Sequence, residues 1–235
     1  MRITRLIPAL AAALLSMIAL VPSASAAPAA DGGVTPYIIG GGYASNAPWA
    51  ARLFSNGRQT CSATIIAPTW ILTARHCVSG GGLSFRIGSL DQTTGGTMAN
   101  GTRTVTHSSD LALVQLDKSV SGTYAQLAST SPGAGTSVQV YGWGATSRCG
   151  SEINCQSRLL KVANVTVSGS CTDAYGGSAI CARRGNGITA GGDSGGPMMS
   201  GGLQIGVAST SDRQTTTAYT NVTRYRSWIQ SVAGV

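Results

Sequence analysis

Ser194 stands in the run Gly192-Asp193-Ser194-Gly195-Gly196-Pro197. Glycines on both sides let the backbone take positive φ and come close to a bound molecule. Such a turn can aim several backbone N–H groups at one point, which is what stabilising an oxyanion requires. A serine hydroxyl is a weak nucleophile until a base lies within hydrogen-bond reach. The chain offers only two histidines, His76 and His107. His76 lies in Leu72-Thr73-Ala74-Arg75-His76-Cys77, just after an apolar run and beside a cysteine whose disulfide would fix the imidazole. His107 lies in a polar stretch with no such anchor. A third group must hold the imidazole. Asp110 opens Asp110-Leu111-Ala112-Leu113-Val114-Gln115-Leu116. An acid followed at once by an apolar strand is partly buried, and a buried carboxylate needs a partner. His76, Asp110 and Ser194 are therefore the candidate base, orienting acid and nucleophile.

Groups so far apart in the chain need a scaffold to gather them. The 235 residues are 43% hydrophobic and only 10% charged, a balance that excludes intrinsic disorder. Thirty-two glycines point to short strands and tight turns. Strands are expected over 50–54, 61–67, 70–73, 85–87, 103–106, 112–116, 138–141, 159–167, 203–208 and 218–221. Many close strands without helices between them argue for a sandwich or barrels. One helix is expected at the C-terminus, where Tyr225, Trp228, Ile229 and Val232 fall at i, i+3, i+4 and i+7, with Thr223 as N-cap and Gly234 as stop. No heptad run appears, and two histidines give no zinc spacing, so no metal is expected.

The N-terminus reads as a targeting device. Arg2 and Arg5 precede an apolar stretch over 6–20, and Ala24-Ser25-Ala26 is an A-x-A cleavage signature. The stretch is shorter than the roughly 20 residues of a membrane span. Residues 1–26 are expected to be a signal peptide, 27–37 a pro-segment, and 38–235 the domain proper. Without Arg2, Arg5 and Asp31, the 16 basic and 8 acidic residues become 14 and 7, net +7. The arginines are scattered and no recognition motif accompanies them, so the charge is read as a cationic surface, not a nucleic-acid site. Six cysteines agree with export to an oxidising compartment. Proximity favours Cys61–Cys77, Cys149–Cys155 and Cys171–Cys181, although spacing alone leaves other pairings open.

The chain resembles the chymotrypsin/trypsin-like serine endopeptidases. The resemblance covers essentially all of 38–235 and rests on six motifs in order: Ile38-Ile39-Gly40-Gly41, Thr73-Ala74-Arg75-His76-Cys77, Asp110-Leu111-Ala112-Leu113, Tyr141-Gly142-Trp143-Gly144, Gly192-Asp193-Ser194-Gly195-Gly196-Pro197 and Trp228-Ile229. The order His, Asp, Ser is that of the chymotrypsin triad. The resemblance implies an all-β fold of two antiparallel six-stranded barrels with the active site between them and a C-terminal helix. It implies Ser194 as nucleophile, His76 as base, Asp110 as orienting acid, and the N–H groups of Gly192 and Ser194 as the oxyanion hole. It also implies a latch, in which cutting after Tyr37 frees the Ile38 amine to pair with Asp193. The partners implied are polypeptide substrates, an activating protease and a proteinaceous inhibitor. The chain is expected to be a secreted, extracellular monomer without cofactor, nucleic acid or stable membrane association.

Trypsin-like members carry Asp six residues before the nucleophile, where this chain has Ile188. An apolar floor offers no partner for Lys or Arg. With Thr189 beside it, and with Thr210 and Thr217 where wide-pocket relatives have glycine, Ile188 is expected to shape a narrow specificity pocket. Cleavage is then expected after small or medium apolar residues. Three departures stand near the site. Ala208 occupies the place of a Ser that supports the triad Asp, Ser209 that of a pocket-lining Trp, and Ala190 that of a cysteine. Arg75 also sets a like charge beside His76. The alternative reading is a secreted binding module on the same fold with weak or no activity.

Overall fold

Short strands, many buried along most of their length and a few alternating between core and surface, build most of the fold. The computed structural model describes residues 38–147 and 149–235; the expected signal peptide (1–26) and pro-segment (27–37) lie outside the described residues. In chain order the strands are β1 (Ile39–Gly40), β2 (Gly42–Tyr43), β3 (Ala50–Ser55), β4 (Arg58–Ala67), β5 (Trp70–Thr73), β6 (Leu83–Ile87), β7 (Thr97–Thr106) and β8 (Ala112–Leu116). There follow β9 (Ser137–Gly142), β10 (Lys161–Thr172), β11 (Ser178–Arg184), β12 (Gly187–Ile188), β13 (Pro197–Ser200), β14 (Leu203–Ser211) and β15 (Thr216–Asn221). Along β6, Leu83, Phe85 and Ile87 are buried, while Ser84 and Arg86 are not. Val138 and Val140 of β9 turn inward in the same way.

Two six-stranded antiparallel barrels result. The first closes in the order β3-β4-β5-β8-β7-β6. The second runs β11-β15-β14-β13-β9-β10 and closes through β10 against β11, with β2 added at β10. Closure leaves no free sheet edge within either ring. Leu53, Ile65, Leu72, Phe85, Leu113 and Val114 fill the first barrel. Ile38, Val140, Val165, Ile180, Met198 and Tyr219 fill the second. The short β1 pairs with β12, matching Ile39 to Ile188, so the start of the domain lies against the segment that leads into the 190–195 turn.

All ten expected strands coincide with or overlap observed ones. β1, β2, β11, β12 and β13 were not foreseen. β13 opens on Pro197, a residue confined to strand starts and edges because it cannot donate to the ladder. The C-terminal helix, α1 (Arg226–Ala233), ends at Gly234 in a left-handed conformation, φ 79°. Its expected N-cap is corrected: Thr223 lies in a 3₁₀ turn (Val222–Arg224) capped by Asn221, whose side chain accepts from the Thr223 N–H at 3.1 Å. α1 itself begins after Tyr225 with no side-chain cap. Ile229 of α1 is fully buried in the core of the first barrel, with Tyr225, Trp228 and Val232 packed around it. Ile229→Ala is expected to cost about 2–5 kcal/mol of stability in equilibrium denaturant unfolding. A loss under about 1 kcal/mol would mean that the helix is not part of the core.

Candidate active site

His76 sits in a 3₁₀ turn (Arg75–Val78) directly after β5. Cys77 of the same turn is bonded to Cys61 of β4, which ties the turn to the barrel wall. Asp110 ends the turn that leads into β8. Its carboxylate accepts the His76 backbone N–H at 3.0 Å through Oδ1 and lies 2.8 Å from His76 Nδ1 through Oδ2. Two contacts from one carboxylate fix both the turn and the imidazole plane. His107 is engaged elsewhere. Its Nδ1 accepts the Ser109 N–H at 3.0 Å, and its ring packs against Tyr225 and Trp228. The Arg75 guanidinium lies over the Tyr175 ring, 4.6 Å from its centroid, and donates to the His107 carbonyl.

The surroundings of Asp110 correct one reading of the sequence. Ser209, not residue 208, supports the carboxylate: its hydroxyl donates to Asp110 Oδ2 at 2.7 Å. A register shift between Ala208 and Thr210 on β14 turns Ser209 inward, so counting along an unbroken strand misplaces it by one. Asp173, at the start of the β10–β11 connection, was not foreseen. Its Oδ2 accepts the Asp110 N–H at 2.9 Å and the Thr220 hydroxyl at 3.0 Å. Its Oδ1 accepts the N–H groups of Tyr175 and Gly177, each at 2.8 Å. The available signal was Asp173-Ala174-Tyr175-Gly176-Gly177, an Asx-turn pattern between two β runs. Burial pushes the Asp110 carboxyl up, but the hydrogen bonds from His76 and Ser209 and the nearby imidazole outweigh it and hold the group below its ordinary value.

Most N–H groups of the 190–195 turn have defined acceptors. Ala190 donates to Asp193 Oδ2, Gly191 to Glu152 Oε2, Asp193 to the Ala190 carbonyl, and Gly195 to the Ala208 carbonyl. Among the described residues, only the N–H groups of Gly192 and Ser194 in this turn meet no acceptor. The Ser194 carbonyl accepts from the Ser62 N–H at 2.8 Å. Gly192 and Gly195 hold φ of 99° and 80°. A Cβ on Gly195 would strike the Thr73 hydroxyl and the Ser62 carbonyl, so this turn cannot pack against β4 and β5 with any other residue there. Asp193 is fully buried. Burial raises its pKa to about 6, although the N–H groups of Ala190 and Gly144 and the charge of Arg52 pull the other way.

His76 and Ser194 share the wall of one cavity of about 380 Å³, with Thr189, Ala190, Gly191, Ala208, Ser209, Thr210, Ser211 and Arg213. Thr189 and Thr210 line it. Ile188 and Thr217 do not. Ile188 is held in the β1–β12 pairing and fully enclosed. Thr217 lies one layer back, its hydroxyl 2.7 Å from that of Thr189. The floor thus presents hydroxyl groups instead of an isoleucine. Arg213 bridges to Glu152 at 2.5 Å at the rim. Cys61, His76 and Cys77 cluster at ligand spacing, but both sulfurs are spent in the disulfide and offer no thiolate. The other bridges join Cys149 to Cys155 and Cys171 to Cys181. No helix of the described residues is long and apolar enough to cross a membrane.

The Ser209 contact generates a pH prediction. The folded pKa of Asp110 lies below the ordinary 3.8. Its ionised form therefore adds stability above that pH, and the gain disappears as pH falls through the folded value. Ser209→Ala is expected to raise the Asp110 pKa in a carboxyl NMR titration. It should cost about 1.5–3 kcal/mol at neutral pH, shrinking toward zero in acid. An unmoved Asp110 titration would remove Ser209 from the relay.

The model of the Trypsin family matches residues 38–229. Trypsin alpha of Drosophila melanogaster is 32% identical over 223 residues, covering 83% of this chain and 87% of that protein. Kallikrein-11 of Homo sapiens is 33% identical over 217 residues, covering 78% and 75%. Among solved structures, neuropsin, a serine protease expressed in the limbic system of mouse brain, aligns with a TM-score of 0.70 at 26% identity, covering 81% of this chain and 97% of that one. Human heparin binding protein aligns with a TM-score of 0.70 at 27% identity, covering 83% and 96%. A two-barrel fold carrying His76, Asp110 and Ser194 in this order, with a family match across nearly all of its described length, places the chain in the trypsin family of serine endopeptidases.

Proposed function

We propose that the chain is a secreted serine endopeptidase that hydrolyses polypeptides through a Ser194–His76–Asp110 triad and an acyl-enzyme intermediate. Ser194 Oγ attacks the scissile carbonyl and His76 takes its proton, later delivering it to the leaving amine. Asp110 fixes the imidazole tautomer and stabilises the imidazolium. The N–H groups of Gly192 and Ser194 receive the oxyanion, and the observation that carries the reading is that, among the described residues, these two donors alone in the turn meet no acceptor. The fold by itself decides nothing, since a protein named for heparin binding shares it. The alternative, a binding module without useful activity, leaves the imidazole–carboxylate geometry and the free donors without a purpose.

The cavity bears on substrate. Among the described residues, its lining offers no carboxylate to a substrate Lys or Arg, and its one arginine, Arg213, is already paired with Glu152. Thr189, backed by Thr217, closes the floor early. Small or medium apolar side chains such as Ala, Val or Leu fit this slot. The latch belongs to the same proposal. Ile38 is fully buried in the second barrel and holds φ of 42°, a conformation that strains a β-branched residue. Cutting after Tyr37 removes the preceding carbonyl that causes the strain. It also frees an ammonium to pair with Asp193, a buried carboxylate with no cation within ion-pair distance among the described residues. The chain is then a zymogen that needs an activating protease, acts as a monomer outside the cell and offers its cleft to a proteinaceous inhibitor.

Two measurements test this reading. A fluorophosphonate probe is expected to label the processed protein, and Ser194→Ala should abolish labelling and lower kcat by on the order of 10⁶. A folded, correctly cut protein that takes no label would leave the binding module. Peptide-library profiling of the protein cut between Tyr37 and Ile38 should give hydrolysis after Ala, Val or Leu and near-inactivity of the uncut chain. Preferred cleavage after Arg overturns the pocket assignment, and full activity from a chain beginning at Ala27 overturns the latch.

A further inference from the structure

Behind the nucleophile turn lies a guanidinium that the reaction scheme leaves unused. Arg52, midway along β3, is fully buried. Its Nη1 donates to the Gly192 carbonyl at 3.1 Å, its Nη2 to Gln156 Oε1, and its Nε to Gln92 Oε1 at 2.9 Å. The Ser62 hydroxyl donates to the same Gly192 carbonyl at 2.9 Å, so both lone pairs of that oxygen are engaged. Among the described residues, no carboxylate comes within ion-pair distance of Arg52. A buried cation with only neutral contacts is a poor way to stabilise a fold, since an apolar side chain of similar volume does as well or better. Burial lowers its pKa to about 9, with the Asp193 charge opposing the fall.

The Gly192 carbonyl and the Asp193 N–H belong to one rigid peptide plane. Gly192, on one side of this plane, carries no Cβ, so rotating the plane meets little steric resistance there. Rotation would disturb the oxyanion donors on either side. The plane is held at both ends instead: the Asp193 N–H donates to the Ala190 carbonyl at 3.1 Å, and the Gly192 carbonyl is held by Arg52 and Ser62. We propose that Arg52 is a positioning residue for the oxyanion turn, clamping the Gly192 carbonyl so that the Gly192 and Ser194 N–H groups stay free for the substrate. The proposal rests on Ser194 being the nucleophile. Arg52 also supplies a favourable charge to Asp193, whose carboxylate shapes the turn from the other side through Ala190 and Gly144. Glu152 opposes that charge, Tyr219 stays neutral because burial pushes its phenol far up, and the Ile38 ammonium reinforces the charge once freed.

The test compares Arg52→Met, Arg52→Lys, Ser62→Ala and the Arg52→Met/Ser62→Ala pair in processed protein, with competent sites counted by the extent of fluorophosphonate labelling. Arg52→Met is expected to lower kcat per labelled site roughly ten- to hundredfold while KM stays within about threefold. Arg52→Lys should recover part of the loss. Ser62→Ala should act in the same direction, and the double variant should lose less than the product of the single losses, because both donors serve one oxygen. Unchanged kcat per site in Arg52→Met overturns the proposal. So do multiplicative losses in the double variant, which mark a general packing defect. If Arg52→Met does not fold, Arg52→Lys with full kcat and Ser62→Ala with full kcat overturn it equally. Wild-type protein that takes no label overturns the serine-nucleophile reading itself, a result distinct from all of these.

Discussion

A carboxylate removed from water must be surrounded by donors, and Asp110 imposes that requirement on both barrels. It is fully buried. It accepts from the His76 backbone and lies against His76 Nδ1 on the first-barrel side. On the second-barrel side, the Ser209 hydroxyl completes its shell. An unpaired charge in this place would cost several kcal/mol. Asp110 is therefore comfortable only when β14 of one barrel and the turn after β5 of the other are both in place. The geometry that orients an imidazole and the geometry that satisfies the acid are one arrangement.

The same logic repeats one layer out. Asp173 accepts four donors, among them the N–H of Asp110, and so ties the β10–β11 connection to the turn that presents Asp110. The hydroxyl of Ser209 receives the Ala174 N–H at 3.0 Å while donating to Asp110. One connection thus holds Asp110 by its backbone through Asp173 and by its side chain through Ser209. Arg75 on Tyr175 adds a contact from the histidine turn to the same connection. Networks of this kind are costly when partly satisfied and rigid when complete. Completeness here is what keeps the imidazole aimed although its flanking turns are short.

Much of this was legible in the sequence, for physical reasons that differ from residue to residue. The turn around Ser194 was readable because its glycines answer a demand of local backbone geometry, seen at Gly192 and Gly195. His76 was separable from His107 because a neighbouring cysteine anchors one and not the other. The strands were readable as short apolar or β-branched runs between turn residues. What failed depended on register or on contacts across the fold. Ser209 was misplaced because a bulge on β14 breaks the count of two. Ile188 was read as a pocket floor because its distance from Ser194 was right, yet pairing with Ile39 encloses it. Arg52 read as one of several scattered surface arginines, and nothing local distinguishes it. Two of its partners, Gly192 and Gln156, lie more than a hundred residues away.

Arg52 and Asp193 show why such groups persist against their desolvation cost. A glycine-rich turn gives the close approach a substrate needs, but the same lack of side chains leaves its peptides easy to rotate. Apolar packing cannot hold a peptide plane, because dispersion does not distinguish a carbonyl from an N–H. Only directional donors and acceptors can, and charged ones hold more strongly than neutral ones. The turn accordingly sits between a buried cation that grips the Gly192 carbonyl and a buried anion that accepts from Ala190 and Gly144. Neither charge is a good bargain for stability alone. Together they fix the orientation of a backbone that steric contacts leave undetermined, and the two N–H groups left unengaged are the consequence.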